Sequence, residues 1–312
     1  MTSAAIAPTS TTTTVGGLPA RSAGPPGHPI RESVVYLVPI YVIGIVMALL
    51  IPGTYENPGP VAFIALITPA VVVGCIRLMA RLRHAPANRY PIGLRRTGLR
   101  FWPAAFVISA AVIWTSVALA WAVGVVGFDD LPSYLEVAPI NLVLMSVLVL
   151  GEEIGWRSYL LPRLGSVMSI RRAAMATGFF QACFHLPLLL LTRSYDGLGS
   201  RWLVVPGMMI VVTAAGALFG WLRVRSESLW PAAIAHATVN TCMVEAPTLL
   251  DRHGDMTAYL TGEGGLFTAV LTVVAAVIIL RRANWTPRSQ APPAEAVTLD
   301  TPTVMLPRPV TP

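Results

Sequence analysis

The sequence contains no lysine, and few of its residues carry any charge. Of 312 residues only 12% are charged, whereas 54% are hydrophobic and the mean hydropathy is +0.66. Soluble globular domains have about a quarter charged residues, so this composition excludes a soluble globular protein. All 22 basic residues are arginines in short stretches between long apolar ones. That distribution argues against a basic patch for nucleic acid.

Cysteine is also scarce, and we expect neither a secretory signal at the start of the sequence nor a lipidation site at its end. Cys75, Cys183 and Cys242 lie in apolar stretches without CxxC spacing, which excludes a disulfide framework and a zinc knuckle. No basic segment followed by an apolar core marks a secretory signal, and the C-terminus has no lipidation box. Residues 1–32 and the Pro-rich residues 283–312 are predicted to be disordered tails.

Eight intervals free of charge predict membrane-spanning helices, because a spanning helix needs about 20 apolar residues. The intervals are 33–55, 57–76, 101–128, 138–151, 173–192, 202–222, 228–244 and 264–280. The fourth is long enough only if its helix continues through Glu152, Glu153 and Arg157 to about Leu161. The sequence therefore predicts an all-α, polytopic integral membrane protein with about eight transmembrane helices.

The arginines are divided unequally between the two sides of this predicted topology. The tails and the second, fourth and sixth connections hold 18 of them, the other connections hold three, and Arg157 lies within a span. The positive-inside rule predicts both termini in the cytoplasm, and the all-Arg composition indicates the plasma membrane of a GC-rich bacterium. The basic second connection is interpreted as a topology signal and headgroup anchor. Four tryptophans near span ends are interpreted as interfacial anchors, namely Trp156, Trp202, Trp221 and Trp230.

Ionisable residues inside a membrane are expensive, so function is the first hypothesis for them. They are Glu152, Glu153 and Arg157 in the fourth span, His185 in the fifth and His236 in the seventh, with the amide Asn240 nearby. Glu153 and Arg157 have the i, i+4 spacing of a helical ion pair. This pairing leaves the Glu152 carboxylate without a partner, while His236 and Asn240 share a helix face by the same spacing.

Four of these side chains are predicted to lie at one depth in the membrane. A rise of 1.5 Å per residue from the nearest arginines places Glu152, His185, His236 and Asn240 at roughly 16–22 Å. A carboxylate, two imidazoles and an amide can activate water and hold an oxyanion, which is the chemistry of acyl-bond hydrolysis. Glu152, His185 and His236 would equally complete a zinc triad, so both mechanisms stay open at this point.

Three motifs in order resemble those of the CAAX prenyl endopeptidase and bacteriocin-processing family, CPBP or ABI, of intramembrane proteases. GEEIGWRSYLLPRL at 151–164 is similar to the EExxxR motif, and SLWPAAIAHATVN at 228–240 to the HxxxN motif with its flanking residues. GFFQACFH at 178–185 stands where the family has FxxxH, but Gln181 occupies the Phe position, a departure that concerns local packing or the substrate wall. The resemblance covers about residues 140–246.

The resemblance implies an endopeptidase that cleaves a membrane-associated peptide or protein. By this resemblance Glu152 would be the general base, and His185 would help to hold the water. His236 and Asn240 would bind the oxyanion. Glu153 and Arg157 would give structural support. The family favours a metal-free mechanism, with zinc as the alternative cofactor. The catalytic core would be residues 138–246. Residues 33–137 would form helices one to three with a basic loop, and residues 247–282 a last transmembrane region. The substrate stays unknown, because prenylated CAAX proteins are not expected in a bacterium.

Two other functions stay open. A non-proteolytic scaffold or bacteriocin immunity protein could keep the fold, although such a protein could lose the four catalytic side chains and all four are present. A proton-coupled transporter also needs buried Glu, His and Arg residues, but the internal repeat typical of transporters is not found. The GxGD and GxSG motifs of other intramembrane proteases do not occur on the predicted helices.

Overall fold

The chain folds into a bundle of long apolar helices. The computed structural model describes residues 28–51, 53–84, 90–128, 131–192, 199–252 and 255–290, with the side chains at 128, 131, 132 and 244–252 left out. Most of the two predicted disordered tails, residues 1–27 and 291–312, lies outside these described residues.

Eleven α-helices are described in these ranges, and several of them adjoin without a loop. They are α1 Pro29–Leu50, α2 Gly59–Leu82, α3 Trp102–Ala122, α4 Leu131–Leu148, α5 Leu150–Glu153, α6 Leu161–Gly165, α7 Ile170–Leu191, α8 Arg201–Ser226, α9 Trp230–Leu249, α10 Met256–Leu260 and α11 Leu266–Arg282. A π-helical stretch, Ile154–Leu160, joins α5 to α6. Short 3-10 turns stand at Leu99–Phe101 and Arg288–Gln290. Two short strands, β1 Val126–Phe128 and β2 Leu250–Arg252, pair antiparallel after α3 and α9.

Six helical stretches of the described chain are long and apolar enough to cross a membrane. They are Pro29–Leu50, Gly59–Leu82, Leu99–Ala122, Ser133–Gly165, Ile170–Leu191 and Arg201–Ser226. The prediction of an all-α polytopic membrane protein is confirmed, and the fourth span continues through the two glutamates as expected. The number of eight spans is not confirmed. Helices α9 and α11 stand at the predicted seventh and eighth spans, but α11 has 17 residues against the about 20 that a span needs.

Helices α7 and α8 cross closely because small residues line their contact. Ala174 and Gly178 on α7 face Gly216 and Gly220 on α8, and both pairs have i, i+4 spacing. A Cβ atom on Gly216 would lie 2.7 Å from the Ala174 carbonyl oxygen and 2.8 Å from the Gly178 Cα atom. Small residues at this spacing let helix backbones approach each other inside a membrane. The crossing fixes α7, which carries the candidate site residue His185.

Residues 90–98, which we call the strap, are held against the bundle by hydrogen bonds to their backbone carbonyls. The donors are Arg223 Nη2 to Pro91 O (2.9 Å), Ser158 Oγ to Ile92 O (2.6 Å), Leu229 N to Gly93 O (3.0 Å), Trp230 Nε1 to Leu94 O (3.2 Å) and Ser228 Oγ to Arg96 O (2.5 Å). The second connection is therefore a structural brace as well as a basic segment. The interpretation of Trp230 as an interfacial anchor was incomplete, because its indole N–H is used by the strap.

Residues 283–290 pack on the bundle, so the predicted start of the disordered C-terminal tail at Ala283 was wrong. Trp285 is 6% exposed and its indole N–H donates to the carbonyl of Ile279 at 3.2 Å. The carbonyl of Thr286 accepts from Arg225 Nη1 at 2.9 Å. Trp285 is the apolar side chain that anchors this segment to the bundle, whereas the prediction of disorder was based on the proline content alone.

The close crossing predicts that Gly216→Leu destabilises the protein. The added side chain would meet the α7 backbone, and overpacking of this kind costs about 1–3 kcal/mol. We expect a lower thermal unfolding midpoint in detergent. Gly74→Leu is the matched control, because a Cβ atom at Gly74 on α2 meets nothing within 4 Å. A midpoint for Gly216→Leu equal to that of the control would contradict the packing described here.

Candidate active site

The two motif glycines press the segment that carries Glu152 against its neighbours. A Cβ atom on Gly151 would overlap the backbone of α2 at Leu66 and Ile67, and one on Gly155 would overlap Tyr36 of α1. Directly after Glu153 the backbone changes from α-helical to π-helical. Insertions of this kind are frequent at functional sites because they widen one turn and redirect its side chains.

Glu152 is buried, and its two carboxylate oxygens have different surroundings. The side chain is 3% exposed. Its Oε2 atom accepts hydrogen bonds from Gln181 Nε2 at 2.7 Å and from Trp156 Nε1 at 3.2 Å. Its Oε1 atom accepts none from the residues that the structure describes. The interpretation of Trp156 as an interfacial anchor was wrong, since this side chain is fully buried and its N–H is needed by the carboxylate.

Glu153 and Arg157 form the ion pair that their spacing predicts. Arg157 Nη1 donates to Glu153 Oε1 at 2.9 Å, and both side chains are at most 1% exposed. Removing one partner of such a buried pair typically costs about 3–5 kcal/mol, because the other charge stays buried. The same oxygen is also 2.9 Å from His236 Nδ1. His236 is therefore joined to Glu153, a contact that the sequence spacing did not indicate.

His236 and Asn240 lie one turn apart on α9, as their spacing predicts. The imidazole of His236 is 7% exposed and stacks on the Phe219 ring with centroids 5.4 Å apart. Its Nδ1 atom faces Glu153, which leaves Nε2 for another partner. Asn240 is half-buried, and within the described part of the chain its carboxamide makes no hydrogen bond. Both groups therefore have a polar atom available to a substrate.

His185 is oriented by the backbone of its own helix. Its Nδ1 atom is 2.8 Å from the carbonyl oxygen of Gln181, one turn earlier on α7. A carbonyl oxygen only accepts hydrogen bonds, so Nδ1 carries the proton and Nε2 of the neutral ring is an acceptor. The imidazole is half-buried, and its Nε2 lone pair can accept a hydrogen bond from a water molecule.

Gln181 is the site residue that sequence reasoning noted only as a departure from a motif. It is 2% exposed, donates to Glu152 and accepts from Arg157 Nη1 at 2.6 Å. A continuous hydrogen-bonded chain thus runs from Glu152 through Gln181 and Arg157 to Glu153 and His236. A signal was present in the sequence: Gln181 precedes His185 by four residues, so it shares its helix face, and a buried carboxamide needs partners.

The alternative zinc triad of Glu152, His185 and His236 is not assembled. Within the described ranges, no three His, Cys, Asp or Glu side chains are grouped closely enough to hold a metal ion. The Nδ1 atoms of His185 and His236 face oxygens of Gln181 and Glu153. The reaction proposed below therefore uses the side chains alone.

Known proteins resemble this chain over the region that contains the site. The family model of the type II CAAX prenyl endopeptidases, Rce1-like, matches residues 134–242, a segment that includes all three motifs. The protein named CAAX prenyl protease 2 from Methanococcus maripaludis is 25% identical over 198 residues, which cover 60% of this chain and 68% of that protein. These similarities confirm the resemblance to CAAX-type endopeptidases that the three motifs predict.

Proposed function

We propose that this protein is an intramembrane endopeptidase that hydrolyses a peptide bond of a membrane-associated substrate with water activated by Glu152. The observation that carries the proposal is the asymmetry of the Glu152 carboxylate. Two N–H groups fix Oε2, whereas Oε1 accepts no hydrogen bond from the described residues. A carboxylate held at one oxygen and open at the other suits a general base, which must meet the proton that it removes. Glu153 differs in that its Oε1 is paired with Arg157 and contacts His236, while its Oε2 is buried without a hydrogen-bond partner.

In the proposed reaction, Glu152 Oε1 takes a proton from water as the oxygen of that water attacks the scissile carbonyl carbon. His185 Nε2 accepts the second hydrogen of the water and so fixes its orientation. The tetrahedral intermediate then collapses, the carbon–nitrogen bond breaks, and the proton on Glu152 passes to the leaving nitrogen. The products are an amine and a carboxylic acid, which then loses the second proton of the water to solvent, and Glu152 returns to its ionised form.

His236 and Asn240 are the proposed ligands of the oxyanion. The buried cluster contains two carboxylates and one guanidinium, so a protonated His236 makes its total charge zero. In that form Nδ1–H donates to Glu153 and Nε2–H is free to donate to the oxyanion. The Asn240 carboxamide supplies the second N–H. Donors that are in place before the reaction stabilise the developing charge without reorganising.

The substrate and the orientation in the membrane are further parts of the proposal. The similarity to CAAX-type endopeptidases supports a peptide substrate held at the membrane, and a farnesylated CAAX peptide is the first probe because of the name of the archaeal relative. The arginine distribution supports both termini in the cytoplasm. We propose the plasma membrane of a bacterium as the location, because all basic residues of the chain are arginines.

We expect Glu152→Gln to lower the cleavage rate by about 100- to 10,000-fold, the usual contribution of a general base. The measurement is turnover of an internally quenched farnesylated CAAX peptide by purified protein in lipid micelles. Glu227→Gln is the matched control, because the Glu227 carboxylate binds Arg96 and Ser289 and none of the candidate site residues, and it should keep wild-type turnover.

Full turnover by Glu152→Gln would contradict the proposed function. Elemental analysis of the same preparations tests the metal-free mechanism. Stoichiometric zinc that rises and falls with activity would overturn that mechanism. A wild-type protein that carries solute across proteoliposome membranes and releases no peptide product would instead identify a transporter.

The geometry also predicts that a substitution of Asn240 lowers the activity without lowering the stability. Asn240→Leu keeps the size of the side chain but removes an oxyanion donor, which typically costs about 100- to 1,000-fold in kcat. The thermal unfolding midpoint should stay near the wild-type value, because in the described structure no hydrogen bond is lost. Wild-type kcat in this variant would contradict the role proposed for Asn240.

A further inference from the structure

The orientation of the Gln181 carboxamide is determined by its two partners. A guanidinium can only donate hydrogen bonds, and an ionised carboxylate can only accept them. Gln181 Oε1 must therefore face Arg157 Nη1 at 2.6 Å, and Nε2 must face Glu152 Oε2 at 2.7 Å. A flipped amide would bring two donors together at Arg157 and two acceptors together at Glu152. One orientation alone satisfies both contacts.

The same residue also holds the second group that would contact the attacking water. The backbone carbonyl of Gln181 accepts from His185 Nδ1 at 2.8 Å, so it sets the tautomer and the direction of that ring. The side chain of Gln181 meanwhile fixes Oε2 of Glu152. The Gln181 carboxamide, together with Trp156, thus positions Oε1 of Glu152, whereas Nε2 of His185 is positioned by a backbone carbonyl that any residue at 181 would supply.

A packing role alone does not account for this residue. The family motif places Phe at this position, and an apolar side chain would fill the same space between the helices without needing a partner. Gln181 is 2% exposed, and burying a carboxamide is favourable only when its polar atoms are hydrogen-bonded. Here both side-chain polar atoms bind charged groups of the candidate site.

We propose that Gln181 is a positioning residue that gives the two adjacent glutamates their different tasks. Its N–H fixes Glu152 with Oε1 open for water. Its oxygen holds Arg157 beside Glu153, which keeps Glu153 engaged in the ion pair. The proposal rests on the proposed function, because it assigns a role in the same reaction. It adds to the site a residue, Gln181, whose identity differs from the family motif.

The first test is the kinetic effect of Gln181→Met, which keeps the volume and removes both hydrogen bonds. The probe is the internally quenched farnesylated CAAX peptide with purified full-length protein in lipid micelles. We expect kcat to fall about 10- to 100-fold, since hydrogen bonds to charged groups are of this strength, while KM stays within about twofold. Thr177→Val is the matched control, because Thr177 is buried on the same helix but donates only to Ala173 of its own helix, at 2.7 Å.

The second test measures the contact itself and needs no activity. Thermal unfolding midpoints are compared for Gln181→Met, Glu152→Met and the double variant. Each single variant leaves the other polar group buried without that partner, so we expect the double variant to lose less stability than the sum of the two singles. A cycle that pairs Thr177→Val with Glu152→Met should be additive.

The outcomes separate this proposal from the proposed function. Additive unfolding shifts for Gln181 and Glu152 would overturn the positioning role, whatever the activity. A Gln181→Met protein with kcat within twofold of wild type, beside an inactive Glu152→Gln protein, would overturn the role of Gln181 and leave the proposed function standing. Full turnover by Glu152→Gln would overturn the proposed function, and the catalytic role of Gln181 with it.

Discussion

Two neighbouring carboxylates are buried within one helical turn of this protein, and each has to be compensated without water. Glu153 is compensated by charge, because Arg157 and His236 both contact its Oε1 atom. Glu152 is compensated by two neutral N–H donors on Oε2, from Gln181 and Trp156. A buried charge is tolerated only when it is paired and hydrogen-bonded. Glu153 is held in an ion pair through Oε1 while its Oε2 is buried without a partner, whereas Glu152 is held by neutral donors on Oε2 and its Oε1 stays open.

The surrounding helices pack closely on one another and so hold the two glutamates in place. The motif glycines 151 and 155 bring the Glu152 segment against α1 and α2, and small residues let α7, which carries Gln181 and His185, pack closely on α8. The strap ties the π-helical stretch, through Ser158, to the start of α9, through Leu229 and Trp230. The helices that carry Glu152 and His236 are thereby joined by hydrogen bonds outside the site as well as within it.

Much of the fold was predictable from the sequence, because few charges and long apolar intervals indicate membrane-spanning helices. The Glu153–Arg157 pair was also predictable, since i, i+4 spacing on a helix makes the contact local. The partners of Gln181 and Trp156 were not, because they depend on the rotation of helices about their axes and on the π-helical turn. The contact between His236 and Glu153 was not predictable either, because the spacing along the chain pairs Glu153 only with Arg157.

Glu152 activates the water in the proposed reaction, and a comparison of membrane peptides in cells tests this role even while the substrate is unidentified. Cells that lack the endogenous protein would produce either the wild-type chain or Glu152→Gln at equal amounts, and the termini of their membrane proteins and peptides would be identified by mass spectrometry. We expect new termini that appear with the wild-type protein and are missing with the variant. Identical sets of termini from the two proteins would contradict it.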